Sequence, residues 1–321
     1  MKRPLAAACG LVLGAALAAC GGPASESACG AGAGRPHPEI GGQILYYCLD
    51  QPAVNGGIYL LDVATGRVRA LTSDLAYNLD GAWSPDGSTI AFQSSRDGRD
   101  DIYTMDANGG GIRRITDGHG FNEYPSWSPD GRSILFNSTR DGVGSSRVTG
   151  YYRDLYVMRP DGTGVHRVSA HDASFAFAAW SPDGTSIAFS SDADGTWQVY
   201  AMGADGSGVR QLTRSTNTAG SAGFPRWSPD GERLAFSSSW GGEPASIYWV
   251  TVGQPAHHRV TSGAHGGRWD GYPDWSPDGK WIVFERNADD SQLYAVHPDG
   301  SDLTQLTGGS GSKVLPRWRP E

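Results

Sequence analysis

Outside the N-terminus no stretch of the chain sustains an apolar period of 3.6 residues, so amphipathic helices are not expected. Short apolar runs alternate instead with clusters of Gly, Pro and Asp. Five of these runs are nearly one triplet: Ile90-Ala91-Phe92, Ile134-Leu135-Phe136, Ile187-Ala188-Phe189, Leu234-Ala235-Phe236 and Ile282-Val283-Phe284. An aliphatic-Tyr pair follows each one, at Ile102-Tyr103, Leu155-Tyr156, Val199-Tyr200, Ile247-Tyr248 and Leu293-Tyr294. A third short segment ends on an aliphatic residue plus Thr or Ser, as in Ile115-Thr116, Val168-Ser169, Leu212-Thr213, Val260-Thr261 and Leu306-Thr307. β-branched and aromatic residues held between turn formers predict strands.

Before each triplet stands Trp-Ser-Pro-Asp-Gly, at Trp83, Trp127, Trp180, Trp227 and Trp275, and a variant, Trp-Arg-Pro-Glu, begins at Trp318. The intervals are 44, 53, 47, 48 and 43 residues. A period in this range marks one supersecondary unit stacked on copies of itself. Pro presets φ at the first corner of a turn, Asp bonds nearby backbone N–H groups, and Gly accepts positive φ. Each Trp is expected to end an innermost strand and fill the wedge between neighbouring units. The repeated Asp-Gly pairs read as hairpin turns, because none fits the calcium-loop spacing. The first unit (Ile44-Leu45-Tyr46, Ile58-Tyr59, Leu71-Thr72) lacks a Trp strand of its own, and Leu315-Pro316-Arg317-Trp318 supplies one. The expectation is an all-β, six-bladed β-propeller over residues 42–321, with four-stranded blades. Pairing of its N- and C-terminal strands would close the ring and remove open sheet edges.

The order Trp-Ser-Pro-Asp-Gly, Ile-Ala-Phe, Ile-Tyr, Asp-Gly, Leu-Thr resembles the TolB-type propeller repeat, itself distantly similar to WD repeats. The resemblance implies a binding module of the cell envelope, with docking to the peptidoglycan-associated lipoprotein as one role. TolB carries an α/β domain before its propeller, and the roughly twenty residues between Cys20 and the first strand leave no room for one.

Lys2 and Arg3 precede an apolar stretch from Leu5 to Ala19, short for a membrane span and suited to a secretory signal over residues 1–19. Leu17-Ala18-Ala19-Cys20 resembles the bacterial lipobox, which implies acylation at Cys20 and a protein anchored outside the cytoplasm, its only link to the membrane. Residues 20–41 then read as a flexible tether, rich at first in small polar residues. Cys29 and Cys48 remain, either as an exported disulfide or as two free thiols.

Net charge is −8 with no basic cluster, which disfavours nucleic acid and anionic membrane as partners. No nucleophile elbow, zinc-protease helix or phosphate loop occurs, so no catalytic residue and no cofactor is assigned. Topology divides the rest. The Trp-Ser-Pro-Asp-Gly and Asp-Gly turns share one face, and the opposite face collects loops that differ between blades. Those loops carry Asp80, His119, Glu123, Tyr124, His171, Asp172, His265, Trp269 and Asp270, with Tyr151 and Tyr152 in the longest insertion and Trp240 in another loop. Loop aromatics suit a protein or glycan partner. Solvated polar loops are the plainer alternative. The histidines and acids could ligate a divalent metal at the channel mouth, and oligogalacturonate lyases use a His-bound metal in this region. The favoured expectation is a monomeric, non-catalytic binding module for a cell-envelope protein or glycan. A metal-assisted polysaccharide lyase or hydrolase and a Tol-Pal component are the alternatives.

Overall fold

A computed structural model describes residues 29–30, 34–50, 55–72, 76–141, 153–169, 173–214, 220–240, 244–254, 256–262, 268–287 and 289–321. Twenty-four strands, β1 to β24, form six antiparallel four-stranded sheets arranged as the blades of a propeller, with no helix among the described residues. Blades two to six run in chain order from innermost to outermost strand. Their innermost strands are β4 (Asn78–Trp83), β8 (Asn122–Trp127), β12 (Phe175–Trp180), β16 (Ala222–Trp227) and β20 (Asp270–Trp275). The first blade is built from both ends of the chain: β24 (Ser312–Trp318) lies innermost, beside β1 (Gln43–Asp50), β2 (Asn55–Asp62) and β3 (Arg67–Ala70). Ile44 opposes Trp318 and Leu45 opposes Arg317, which seals the ring as the repeat pattern predicts.

Each sequence signature has a physical task. Every residue of the five apolar triplets is fully buried. The triplet Phe meets the Tyr of the next strand in register, with ring centroids 5.8–6.0 Å apart in blades two to six, and Tyr46 with Tyr59 repeats the pair at 5.7 Å in the first blade. Such cross-strand aromatic pairs are the unit of sheet stabilisation. The closing Thr or Ser stitches the outer strand to the third. Its hydroxyl accepts the backbone N–H of Ile58, Ile102, Leu155, Val199, Ile247 or Leu293 at 2.8–3.0 Å.

In the pentapeptide turn the Ser hydroxyl donates to the Asp carboxylate, at 2.6 Å for Ser84 and Asp86, and accepts the N–H of Thr89 at 2.9 Å. The Gly takes φ between 62° and 72° in all five copies, a region only Gly enters without steric cost. It also abuts the preceding blade: a Cβ on Gly231 would lie 3.7 Å from Pro182, and one on Gly184 would lie 3.3 Å from Pro129. The Trp rings bridge the same seams, as where the Trp227 and Trp275 indoles donate to the Ala179 and Arg226 carbonyls of the blade before, each at 3.2 Å.

The segment before the first blade is less free than a tether over residues 20–41 would be. Gly34 bridges Thr307, Arg35 N–H donates to the Leu306 carbonyl at 2.8 Å, and His37 N–H donates to that of Val63 at 2.8 Å. These residues form a strap along the outer seam between the sixth and first blades. Cys29 is joined to Cys48 by a disulfide, and both are buried with Trp281, Leu293, Leu306 and Trp318 in the core shared by those blades.

Candidate functional site

The innermost strands converge on the central channel, and one backbone device sets what lines it. Each carries a register shift against its neighbour, a β-bulge that re-aims side chains. The residue three before the Trp is left-handed in all six: Asp80 (φ 45°), Tyr124 (56°), Phe177 (53°), Phe224 (61°), Tyr272 (52°) and Leu315 (56°). Four of these meet ring to ring. Tyr124 and Phe177 centroids are 4.2 Å apart, Phe177 and Phe224 4.4 Å, and Phe224 and Tyr272 4.1 Å. The result is a continuous aromatic plate contributed by blades three to six, its rings tilted 43–57° from one another and Phe177 buried within it. Trp269 lies at its variable-face edge, 6.1 Å from Tyr272 and close over the Gly271 backbone.

Toward the repeated-turn face, three of the six residues just before a Trp (Arg226, Asp274 and Arg317) join Asp80 in a charged layer below the plate. Arg317 donates to Asp80 at 2.9 Å, Arg226 approaches Asp274 at 3.9 Å, and Asp274 also accepts the Trp318 N–H at 2.8 Å. Burial, and then the charge of Arg317, brings the Arg226 guanidinium down to about 10; burial likewise pushes the Asp274 carboxyl up. The layer thus ties the fifth, sixth, first and second blades in sequence. Arg226, Asp274 and Arg317 were not foreseen as channel residues, and neither were Phe177 and Phe224. Aligning the repeats on their Trp exposes them: Tyr-Pro, Phe-Pro, Tyr-Pro and Leu-Pro at 124, 224, 272 and 315 share one position.

The expected binding residues scatter. Asp80 is buried against Arg317, Asp270 is fully buried in a two-bonded pair with Arg286 at 2.7 and 2.8 Å, and Glu123 takes Arg153 at 2.6 Å. Each of these three acids, expected among the channel-mouth groups, is held in an ion pair, within one blade for Asp270 and Glu123 and between the second and first blades for Asp80. Trp240 is also off the mouth. Its ring packs on Phe236, Tyr248 and His257, along the outer strands of the fifth blade. His119 is exposed and pairs with Asp117 at 3.0 Å. Tyr124 and Trp269 do belong to the channel. Tyr151, Tyr152, His171, Asp172, His265 and Cys20 lie outside the described residues.

Two acids on the variable side are pushed toward the protonated form. Burial, then the neighbouring Glu123, raises Asp100. Burial pushes the Glu285 carboxyl up to about 8, with only the Ser291 hydroxyl opposing the shift. Among the described residues no three His, Cys, Asp or Glu gather as a metal set, and no helix is long and apolar enough to cross a membrane. The arrangement offers an apolar, aromatic surface framed by compensated charges.

A closed ring of six four-stranded antiparallel blades is a β-propeller. The chain matches the family described as the TolB beta propeller domain over residues 41–149 and 210–321, and it belongs to that family. No curated protein matches the sequence. TolB from Acinetobacter baumannii is 25% identical with a TM-score of 0.74, covering 87% of this chain and 67% of that one. A TolB-type protein from Agrobacterium tumefaciens is 19% identical (TM-score 0.67, covering 88% and 99%). An oligogalacturonate lyase in complex with manganese shares the fold at 17% identity (TM-score 0.58, covering 85% and 75%).

Proposed function

We propose that the protein is an exported binding module, lipid-anchored through Cys20, that seats a cell-envelope protein or glycan over the channel mouth of its variable face. The observation that carries this reading is the plate of Tyr124, Phe177, Phe224 and Tyr272, with neighbouring centroids 4.1–4.4 Å apart. Flat apolar rings accept sugar faces or apolar side chains, and fixed polar groups around them orient what binds. Membership of the TolB propeller family supports a binding role within the envelope. The signal-like N-terminus and the Cys29–Cys48 disulfide support export.

Isothermal titration with peptidoglycan fragments, and separately with the peptidoglycan-associated lipoprotein, tests it. Binding of either probe should weaken at least tenfold in Phe224→Ala and Tyr272→Ala, with folding retained. Binding that both variants leave intact would remove the plate from the site.

A further inference from the structure

The point at which the chain leaves the propeller is fixed, and it lies on the variable face. Cys29 is bonded to Cys48 near the end of β1, and β1 runs toward the variable face. The Cys29 carbonyl accepts the Tyr46 hydroxyl at 3.3 Å. Gly311, on the variable-face loop entering β24, packs beside both sulfurs, since a Cβ there would stand 3.4 and 3.5 Å from them. From this corner the strap descends the outer seam to Leu306 and Val63. Cys29, the first described residue, therefore sits at the variable face, not at the repeated-turn face.

We propose that the Cys29–Cys48 disulfide is an orientation clamp, holding the variable face toward the membrane so that its partner is one lying against or anchored in that same membrane. The inference rests on lipid anchoring at Cys20. Nine residue steps separate Cys20 from Cys29, and a relaxed chain of that length and small-residue composition spans about 17 Å. The repeated-turn face lies a further strand length away, about 20 Å for six residues, beyond that relaxed span. Without the disulfide the first backbone-paired residues are Gly34 and Arg35, and the relaxed span grows to about 21 Å. That span is long enough for either face to turn toward the bilayer.

The test uses the full lipid-bearing chain on phosphatidylethanolamine–phosphatidylglycerol vesicles with an energy-transfer acceptor on the headgroups. A donor dye is attached in place of Phe121 on the variable face, or of Leu303 on the repeated-turn face, both about half exposed (47%). Transfer should be at least twofold stronger from 121. The ratio should fall toward one in the Cys29→Ser/Cys48→Ser pair. It should fall likewise on inserting ten Gly and Ser residues after Ser27, a change that leaves the propeller untouched. A ratio near one or reversed in the parent protein, or one that survives the insertion, overturns the clamp. Vesicle flotation separates the premise: a chain that fails to float, or that floats unchanged as Cys20→Ser, defeats the anchoring reading and the clamp with it.

Discussion

The two faces of the ring are held together by different means. On the repeated-turn face the stabilising contacts are local: Ser84, Ser128, Ser181, Ser228 and Ser276 each reach an Asp two residues on, and the Gly of each turn sits against the blade before it. On the variable side and in the channel the contacts span distance. Asp270 and Arg286 are 16 residues apart, Glu123 and Arg153 30, and Asp80 and Arg317 237. The monotonous face is thus a set of independent small contributions, while the varied face concentrates stability in a few buried charge pairs. Diversity in sequence on that side does not mean freedom to change.

That contrast can be broken or sharpened by four measurements. Asp270→Ala should be the most damaging, because it strands the Arg286 guanidinium, 14% exposed, without its carboxylate. Breaking one partner of a buried pair costs about 3–5 kcal/mol, and a denaturant titration showing under about 1 kcal/mol would erase the difference between faces. Next comes Cys48→Ser, expected to cost about 3 kcal/mol by freeing a loop of this size in the unfolded chain; differential scanning calorimetry would read it as a lower Tm, and an unchanged Tm would mean the strap is already held without the sulfurs.

The third measurement concerns Glu285 on β21 (Ile282–Arg286), whose folded pKa of about 8 lies above its ordinary 4.5. The fold then binds a proton that the unfolded chain has released, so stability falls as pH rises from 4.5 toward 8. We expect a loss of about 2 kcal/mol between roughly pH 5 and 7, absent in Glu285→Gln. Parallel pH profiles for the two proteins would show that the buried carboxyl does not titrate as stated. Last, Asp278→Ala on the repeated-turn face gives up bonds to Ser276 and the Lys280 N–H. It should cost about 1 kcal/mol and leave partner binding untouched. A larger loss would show that the turns act as one cooperative hoop.

The contrast also explains what the sequence made legible. Strands, blade count, ring closure and the Trp wedges follow from residues close together in the chain and repeated five times, so local chemistry suffices. The aromatic plate was only partly visible: Tyr124 stood out, whereas Phe177 and Phe224 were hidden until the repeats are aligned on Trp. The charge pairs were not visible. Asp80 and Asp270 look like solvated loop acids until the ring brings Arg317 and Arg286 beside them, and nothing local in the chain announces that meeting.

The left-handed residue three before each Trp has a consequence for how such a protein diversifies. A non-glycine residue there costs about 1–2 kcal/mol of backbone strain, and the bulge imposes that conformation on all six strands whatever the side chain. An exchange among Asp, Tyr, Phe and Leu at these positions therefore changes the channel lining without asking the backbone for a new shape. The backbone asks the same shape of all six positions, but the side chains answer to one another: four touch ring to ring and Asp80 is tied to Arg317. Such a lining changes by coupled exchanges between neighbouring blades, not one position at a time.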